Sequence, residues 1–125
     1  PLPAKLDEPL RGFTSAIPLC ADEACHTTAS LDRVAGLYQF INIKLDKTGG
    51  LTEALKLARA ARERGLRVMV GCMTGTSLAT APALLVASLA DYVDLDGPLL
   101  LASDRDPPVP YHQAVISPAP AGLWG

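Results

Sequence analysis

Three polar clusters interrupt a largely apolar sequence: Asp22-Glu23, Lys44 with Lys47, and Asp94 with Asp96. Neighbouring carboxylates on an extended chain point opposite ways, so only one of Asp22 and Glu23 readily faces a site. The pair suits either the N-terminal charge of a helix starting near Thr27 or a divalent cation. Mg²⁺ takes oxygen ligands, usually one or two carboxylates plus substrate oxygens. Lysine usually ends at the surface, which would suit Lys47. Lys44, however, alternates with Ile41, Ile43 and Leu45 and should point away from a helix-covered face. A lysine held there beside a metal would have a lowered proton affinity and could act as a general base. Asp94 and Asp96, two apart, share a face of an extended chain. Either they are an exposed strand end, or they need a metal or a substrate ammonium between them.

Other polar residues carry weaker signals. Gly71-Cys-Met-Thr-Gly-Thr-Ser77 lacks the lysine and glycine spacing of a phosphate loop. Cys72 near a helix start could be a reactive thiolate, but no histidine is placed to support it. Cys20, Cys25 and His26 form no recognised metal spacing. His112 carries no signal, and Thr48-Gly-Gly50 leaves a small phosphate-binding α/β domain as a third possibility.

The elements that must position these clusters follow from pattern. Prolines at 1, 3 and 9 make the opening a loop, followed by a short helical piece over 8–13. Apolar runs at 17–21, 40–45, 66–71 and 92–96 read as strands. Helices are expected over 28–36, 51–64 and 77–89. In the second of these, Leu51, Ala54, Leu55, Ala58 and Ala61 fall at helical spacing, and Gly65 stands where a helix-ending glycine belongs. The third is rich in alanine and leucine and should be buried on most sides. From Ser103 onward prolines recur, so 103–125 reads as an extended tail with one possible strand over 111–116, and Trp124 available to pack back. The domain proper is 1–102.

Strand and helix thus alternate about four times, which implies a parallel sheet with crossover helices. Polar bursts at the carboxyl ends of parallel strands are how a (β/α)8 barrel, or an open doubly wound sheet, presents a site. Four units make half a barrel, so the chain is expected to be incomplete.

Composition narrows the classes. The 125 residues are 49% apolar and 19% charged with a formal charge of −2, enough for a core and too little basic charge for a nucleic-acid surface. The longest apolar stretch, 78–90, is shorter than the roughly 20 residues of a membrane span. Three cysteines without paired spacing favour a reducing compartment. The expectation is a cytoplasmic protein with no nucleic-acid or membrane partner.

The segments Ala21-Asp-Glu-Ala-Cys-His-Thr27, Asn42-Ile-Lys-Leu-Asp-Lys-Thr-Gly-Gly50, Gly71-Cys-Met73 and Asp94-Leu-Asp-Gly-Pro98, in this order and spacing, resemble the dipeptide epimerases of the enolase superfamily. The likeness lies in the muconate-lactonizing subgroup, closest to bacterial L-Ala-D/L-Glu epimerases, and runs from Pro1 to about Leu101. It implies an α/β fold, the carboxy-terminal half of a (β/α)8 barrel, about strands five to eight. It also implies Mg²⁺ held partly by Asp22, with Glu23 following it. Lys44 would be one of two acid/base lysines, with Lys47 supporting. Asp94 and Asp96 would bind the α-ammonium group of a dipeptide, and Cys72 and Met73 would line the substrate wall. The implied reaction inverts the glutamate α-carbon by two-base proton transfer through a metal-stabilised enediolate, in murein peptide metabolism. The family's other lysine, its other metal carboxylates and its amino-terminal capping domain have no counterpart here, so the 125 residues alone should be inactive. The competing expectation is a non-catalytic half-barrel acting as an assembly module. Such a module would pair with a partner half or with itself as a homo-oligomer, because open sheet edges recruit strands.

Overall fold

The structure is a computed structural model that describes residues 6–124. The expected opening loop over 1–5, including Pro1-Leu-Pro3, therefore lies outside the described residues.

Four short strands form one parallel sheet: β1 (Cys20–Ala21), β2 (Phe40–Ile43), β3 (Arg67–Val70) and β4 (Tyr92–Val93), in that spatial order. The register sets Ala21 beside Ile41, Ile43 beside Val70 and Val70 beside Val93. The carboxyl ends of β1, β2 and β3 therefore finish side by side, followed by Asp22, Lys44 and Gly71.

The connections are helical. A 3-10 turn over Thr28–Ser30 runs into α1 (Leu31–Val34). After β2 comes a four-residue helix, α2 (Leu45–Thr48), and then α3 (Leu51–Glu63). Crossing to β4 is α4 (Ser77–Ala87). Packing follows the alternation read from sequence. Ile41, Ile43, Val68 and Val70 are at most 1% exposed and pack with Leu31, Leu57, Ala58, Ala61 and Val86 from the helices. At roughly 25 cal/mol per Å² this apolar burial is the main stabilising term of the fold.

The opposite face of the sheet carries no helix among the described residues. There Phe40, Met69 and Tyr92 line a shallow pocket with Ile17, and the Arg67 guanidinium lies 4.5 Å above the Phe40 ring. A parallel sheet is normally covered on both faces, whereas this one is only partly so: Phe40 is 6% exposed but Tyr92 beside it is 57% exposed.

Several boundaries differ from the sequence reading, each for a physical reason. The strand expected to run through Leu45 stops at Ile43, because Lys44 becomes the N-cap of α2, and the Thr48-Gly-Gly50 turn includes that helix's last residue. Gly49 then takes φ +74°, a left-handed conformation that favours glycine. The strand expected over 92–96 closes after Val93, and Gly97–Leu100 forms a 3-10 turn. Helix α4 is less enclosed than its composition suggests: Leu85 is 55% exposed. It faces a groove of about 570 Å³ that Trp124 also lines. The segment after Ser103 forms a small antiparallel hairpin, β5 (Tyr111–His112) with β6 (Val115–Ile116), around Gln113 at φ +54°.

That segment is tied to α4 by polar contacts. Ser77, fully buried, donates its hydroxyl to Asp104 and accepts from the Val109 amide at 2.8 Å, while its own amide donates to Asp104 at 2.7 Å. Burial pushes the Asp104 carboxyl up, but the bonds from the Ser77 hydroxyl and amide outweigh it and hold the group below its ordinary 3.8. A depressed folded-state value means the carboxylate stabilises above its unfolded value and loses that effect as pH falls. We predict that Asp104→Ala lowers stability by about 1–3 kcal/mol at neutral pH, leaving two Ser77 donors unpaired. Urea unfolding across a pH series should show the gap between variant and wild type closing below about pH 4.

Candidate active site

The site is built on the ends of β1 and β2. Alternation along β2 turns Ile41 and Ile43 toward the helices and Asn42 and Lys44 to the other face, as the sequence implied. Lys44 Nζ lies 3.1 Å from Asp22 Oδ2 with only 15% of its side chain exposed. Lys47 reaches the same carboxylate from α2, and its side chain is 5% exposed. Its Nζ donates to Asp22 Oδ1 and, at 2.6 Å, to the Asp22 backbone carbonyl. The short helix after Lys44 is what turns Lys47 back onto β1. Lys47 is thus no surface lysine. It holds both the carboxylate and the backbone of residue 22.

Burial pushes the Asp22 carboxyl up, but the bonds and charges of Lys47 and Lys44 outweigh it and hold the group below the ordinary carboxylate value. Asn42 adds a longer donation, Nδ2 to Asp22 Oδ2 at 3.4 Å. Gly71, ending β3, closes the site from the next strand. A side chain there would meet Asn42 Oδ1 at 2.7 Å and Lys44 Cε at 3.2 Å. Any larger residue here would displace the Asn42 carboxamide. Neither Asn42 nor Gly71 stands out in the sequence, because an asparagine inside a strand and a glycine at its end have many ordinary explanations.

The other candidates fall into two further groups. Glu23 turns outward, 66% exposed at the side chain and 4.0 Å from His26, so the structure does not bring it to Lys44. Asp94 and Asp96 are both exposed and flank Leu95, which is 1% exposed, so they share one side of the chain beyond β4. Cys72 links that segment to β3: its thiol lies 3.9 Å from Asp96 Oδ1, and the Gly97 amide donates to its sulfur at 3.3 Å. Burial pushes the Cys72 thiol above its ordinary value, against the Gly97 amide that opposes it. A raised value keeps it protonated near neutrality and argues against a thiolate nucleophile. Met73 is exposed beside it, and its carbonyl is what a side chain at Gly97 would strike, at 2.6 Å.

Asp22 is a hard oxygen donor of the kind Mg²⁺ takes. Asn42 Oδ1, beside it, is buried without a hydrogen-bond partner. Among the described residues no three acidic, histidine or cysteine side chains converge on a cation site. The donor set therefore fits a divalent cation as one ligand of several, the others coming from outside these residues.

Residues 1–121 match the enolase C-terminal domain-like family. The whole chain is 58% identical to an N-acetyl-D-glutamate racemase from a Pseudoalteromonas species and spans 40% of its length. Over 86% of the chain it is 51% identical to the L-Ala-D/L-Glu epimerase of Escherichia coli (strain K12), of which it covers 33%. A crystal structure of an enolase family member from Agrobacterium tumefaciens, with homology to dipeptide epimerases and with bound sodium and L-Ala-L-Glu, superposes on the whole chain. The TM-score is 0.96 at 52% identity, over 38% of that protein. The chain spans well under half the length of these relatives.

Removing Lys47 should leave the upward push of burial opposed by Lys44 alone. We predict that in Lys47→Met the Asp22 carboxyl titrates at higher pH than in wild type, read from its ¹³Cγ resonance. An unchanged titration would mean that Lys47 does not hold the carboxylate in solution.

Proposed function

The chain belongs to the enolase C-terminal domain-like family, and on that premise we propose that it is the carboxy-terminal part of a Mg²⁺-dependent epimerase that inverts the glutamate α-carbon of L-Ala-D/L-Glu. The observation that carries this reading is the contact between Asp22 and Lys44 at the ends of neighbouring parallel strands. It sets a metal-type oxygen donor beside an amine on the sheet face that the helices leave uncovered. The shallow apolar pocket around Phe40 and Tyr92 on that face supports a barrel interior completed by residues outside this chain, with these strands as the fifth to eighth.

The proton alpha to a carboxylate is weakly acidic, so its removal needs both a base and a nearby positive charge. Asp22 would hold Mg²⁺ together with ligands from outside this chain, and the ion would supply positive charge at the substrate carboxylate. Lys44, in the neutral form, takes the α-proton from one face in one direction, and in the ammonium form delivers a proton to that face in the reverse direction. A second base, on the opposite face, must come from outside this chain. Lys47 keeps Asp22 aimed, and its burial separates it from substrate. Asp94 and Asp96 accept from the substrate ammonium group, and Cys72 and Met73 form the wall between them and β3. The family resemblance gives Glu23 a supporting role, but its outward placement offers no contact with this chemistry. A place in murein peptide metabolism follows the same resemblance, and a cytoplasmic location follows the unpaired cysteines.

A second substrate has its own support, since one relative matched over the whole chain is named for N-acetyl-D-glutamate. Both compounds are N-acylated glutamates, and only the dipeptide has an ammonium group. Two measurements separate the readings. In a full-length protein carrying this chain, incubation of L-Ala-L-Glu in ²H₂O with Mg²⁺ should exchange the glutamate α-proton and form the other epimer, and Lys44→Ala should abolish formation of that epimer. The 125 residues alone should exchange nothing, and any Lys44-dependent turnover by them would overturn the half-site reading. Asp94→Asn with Asp96→Asn should raise KM for the dipeptide by about 10- to 100-fold, the loss of charge-assisted hydrogen bonds, with little effect on N-acetylglutamate. Activity on N-acetylglutamate alone would favour the second substrate.

A further inference from the structure

Asn42 is 7% exposed and stands two residues before Lys44 on the same face of β2. Its Nδ2 donates to Asp22 Oδ2, the oxygen that Lys44 Nζ also approaches. Its Oδ1 is buried and has no hydrogen-bond partner among the described residues. Turning the carboxamide over offers no remedy, because Oδ1 would then face a carboxylate oxygen, acceptor against acceptor. A buried carbonyl oxygen without a donor is uncommon and calls for a reason.

Gly71 indicates where a donor can come from. The space its side chain would fill is flanked by Asn42 Oδ1 at 2.7 Å and by Lys44 Cε at 3.2 Å. The orphaned acceptor and the lysine stem thus border one point, and the lysine nitrogen is a single bond beyond that carbon. A residue without a side chain keeps the point open.

We propose that Asn42 is a positioning residue for Lys44, its Oδ1 being the second acceptor for the Lys44 ammonium when a cation occupies Asp22. The inference deepens the reading of Asp22 as a metal ligand and rests on it. Lys44 lies on Asp22 Oδ2 in this structure, and a divalent cation taking that oxygen repels the ammonium. A neutral carbonyl on the same strand face accepts the displaced group without adding charge. It keeps the amine on the inner face instead of releasing it to solvent.

The decisive experiment uses a full-length protein carrying this chain and needs no turnover. Asp22→Asn removes the anion that holds Lys44, and its crystal structure should show Lys44 Nζ within about 3.2 Å of Asn42 Oδ1. Lys44 in solvent, or still at residue 22 with Oδ1 unpartnered, overturns the assignment. In parallel, Mg²⁺ titration of the full-length wild-type protein by NMR should shift the Asn42 side-chain amide and the Lys44 ε resonances along one curve. Asn42→Leu should leave Lys44 displaced by Mg²⁺ but with its ammonium protons exchanging freely with solvent, where the wild type slows that exchange. Equal exchange of the Lys44 ammonium protons in wild type and Asn42→Leu with Mg²⁺ bound overturns the proposal, and this arm decides alone if Asp22→Asn fails to fold. No response to Mg²⁺, with Lys44 on Asn42 in the variant structure, counts against Asp22 as a ligand while supporting Asn42 as the second acceptor.

Discussion

Asp22 accepts hydrogen bonds from two lysines that reach it by different routes, and the arrangement around it depends on keeping that carboxylate charged and fixed. Lys47 arrives from α2, almost fully buried, and binds both the carboxylate and the backbone carbonyl of residue 22. Lys44 arrives directly from β2, is more exposed, and touches one oxygen. An ammonium buried without a partner costs several kcal/mol, so Lys47 cannot easily leave. The difference in burial and bonding marks Lys47 as the permanent counter-ion and Lys44 as the one with freedom to move.

The strands make this possible by serving two faces at once. Residues 41, 43, 68 and 70 bury their side chains under α1, α3 and α4, and this packing fixes the backbone to which Asn42 and Lys44 belong. Because successive side chains alternate, each residue buried on the helix side sets the direction of a polar neighbour on the other. The stability of the sheet and the aim of the lysine thus come from one register. A one-residue slip of β2 would turn Lys44 into the core.

Much of this was legible in the residues. The period of two along Phe40 to Lys44 placed the lysine opposite the helices. The apolar spacing from Leu51 to Ala61 and Gly65 after it marked α3 within one residue. Resemblance in four motifs identified the family. What was not legible depends on contacts between segments far apart in sequence. Lys47 read as a surface lysine because the four-residue helix that redirects it has no strong periodic signal. Gly71 read as the end of a strand, although its role is the space it leaves for Asn42 and Lys44. Ser77 and Asp104 are 27 positions apart, and only the folded chain shows that Asp104 caps α4. The proline-rich composition of the tail gave no hint of that anchor.

The two named activities among the relatives make different demands on the same scaffold. The α-carbon and its carboxylate are common to an N-acetylated glutamate and to L-Ala-Glu, so the groups serving that carbon need not differ between them. Those groups would be Asp22, Asn42, Lys44 and Lys47, which form one connected cluster across β1 and β2. The acyl substituent is what varies, and the residues proposed to meet it stand apart, beyond β3 and β4. Cys72, Asp96 and Gly97 touch one another there but make no bond to the Asp22 cluster among those observed. The tight approach of Gly97 to the Met73 carbonyl ties these two loops together. A scaffold divided in this way can change the ammonium-binding end while the lysine and its carboxylate stay in place. On this argument substrate identity is to be sought in residues 72–73 and 94–97, and the reaction type in residues 22–47.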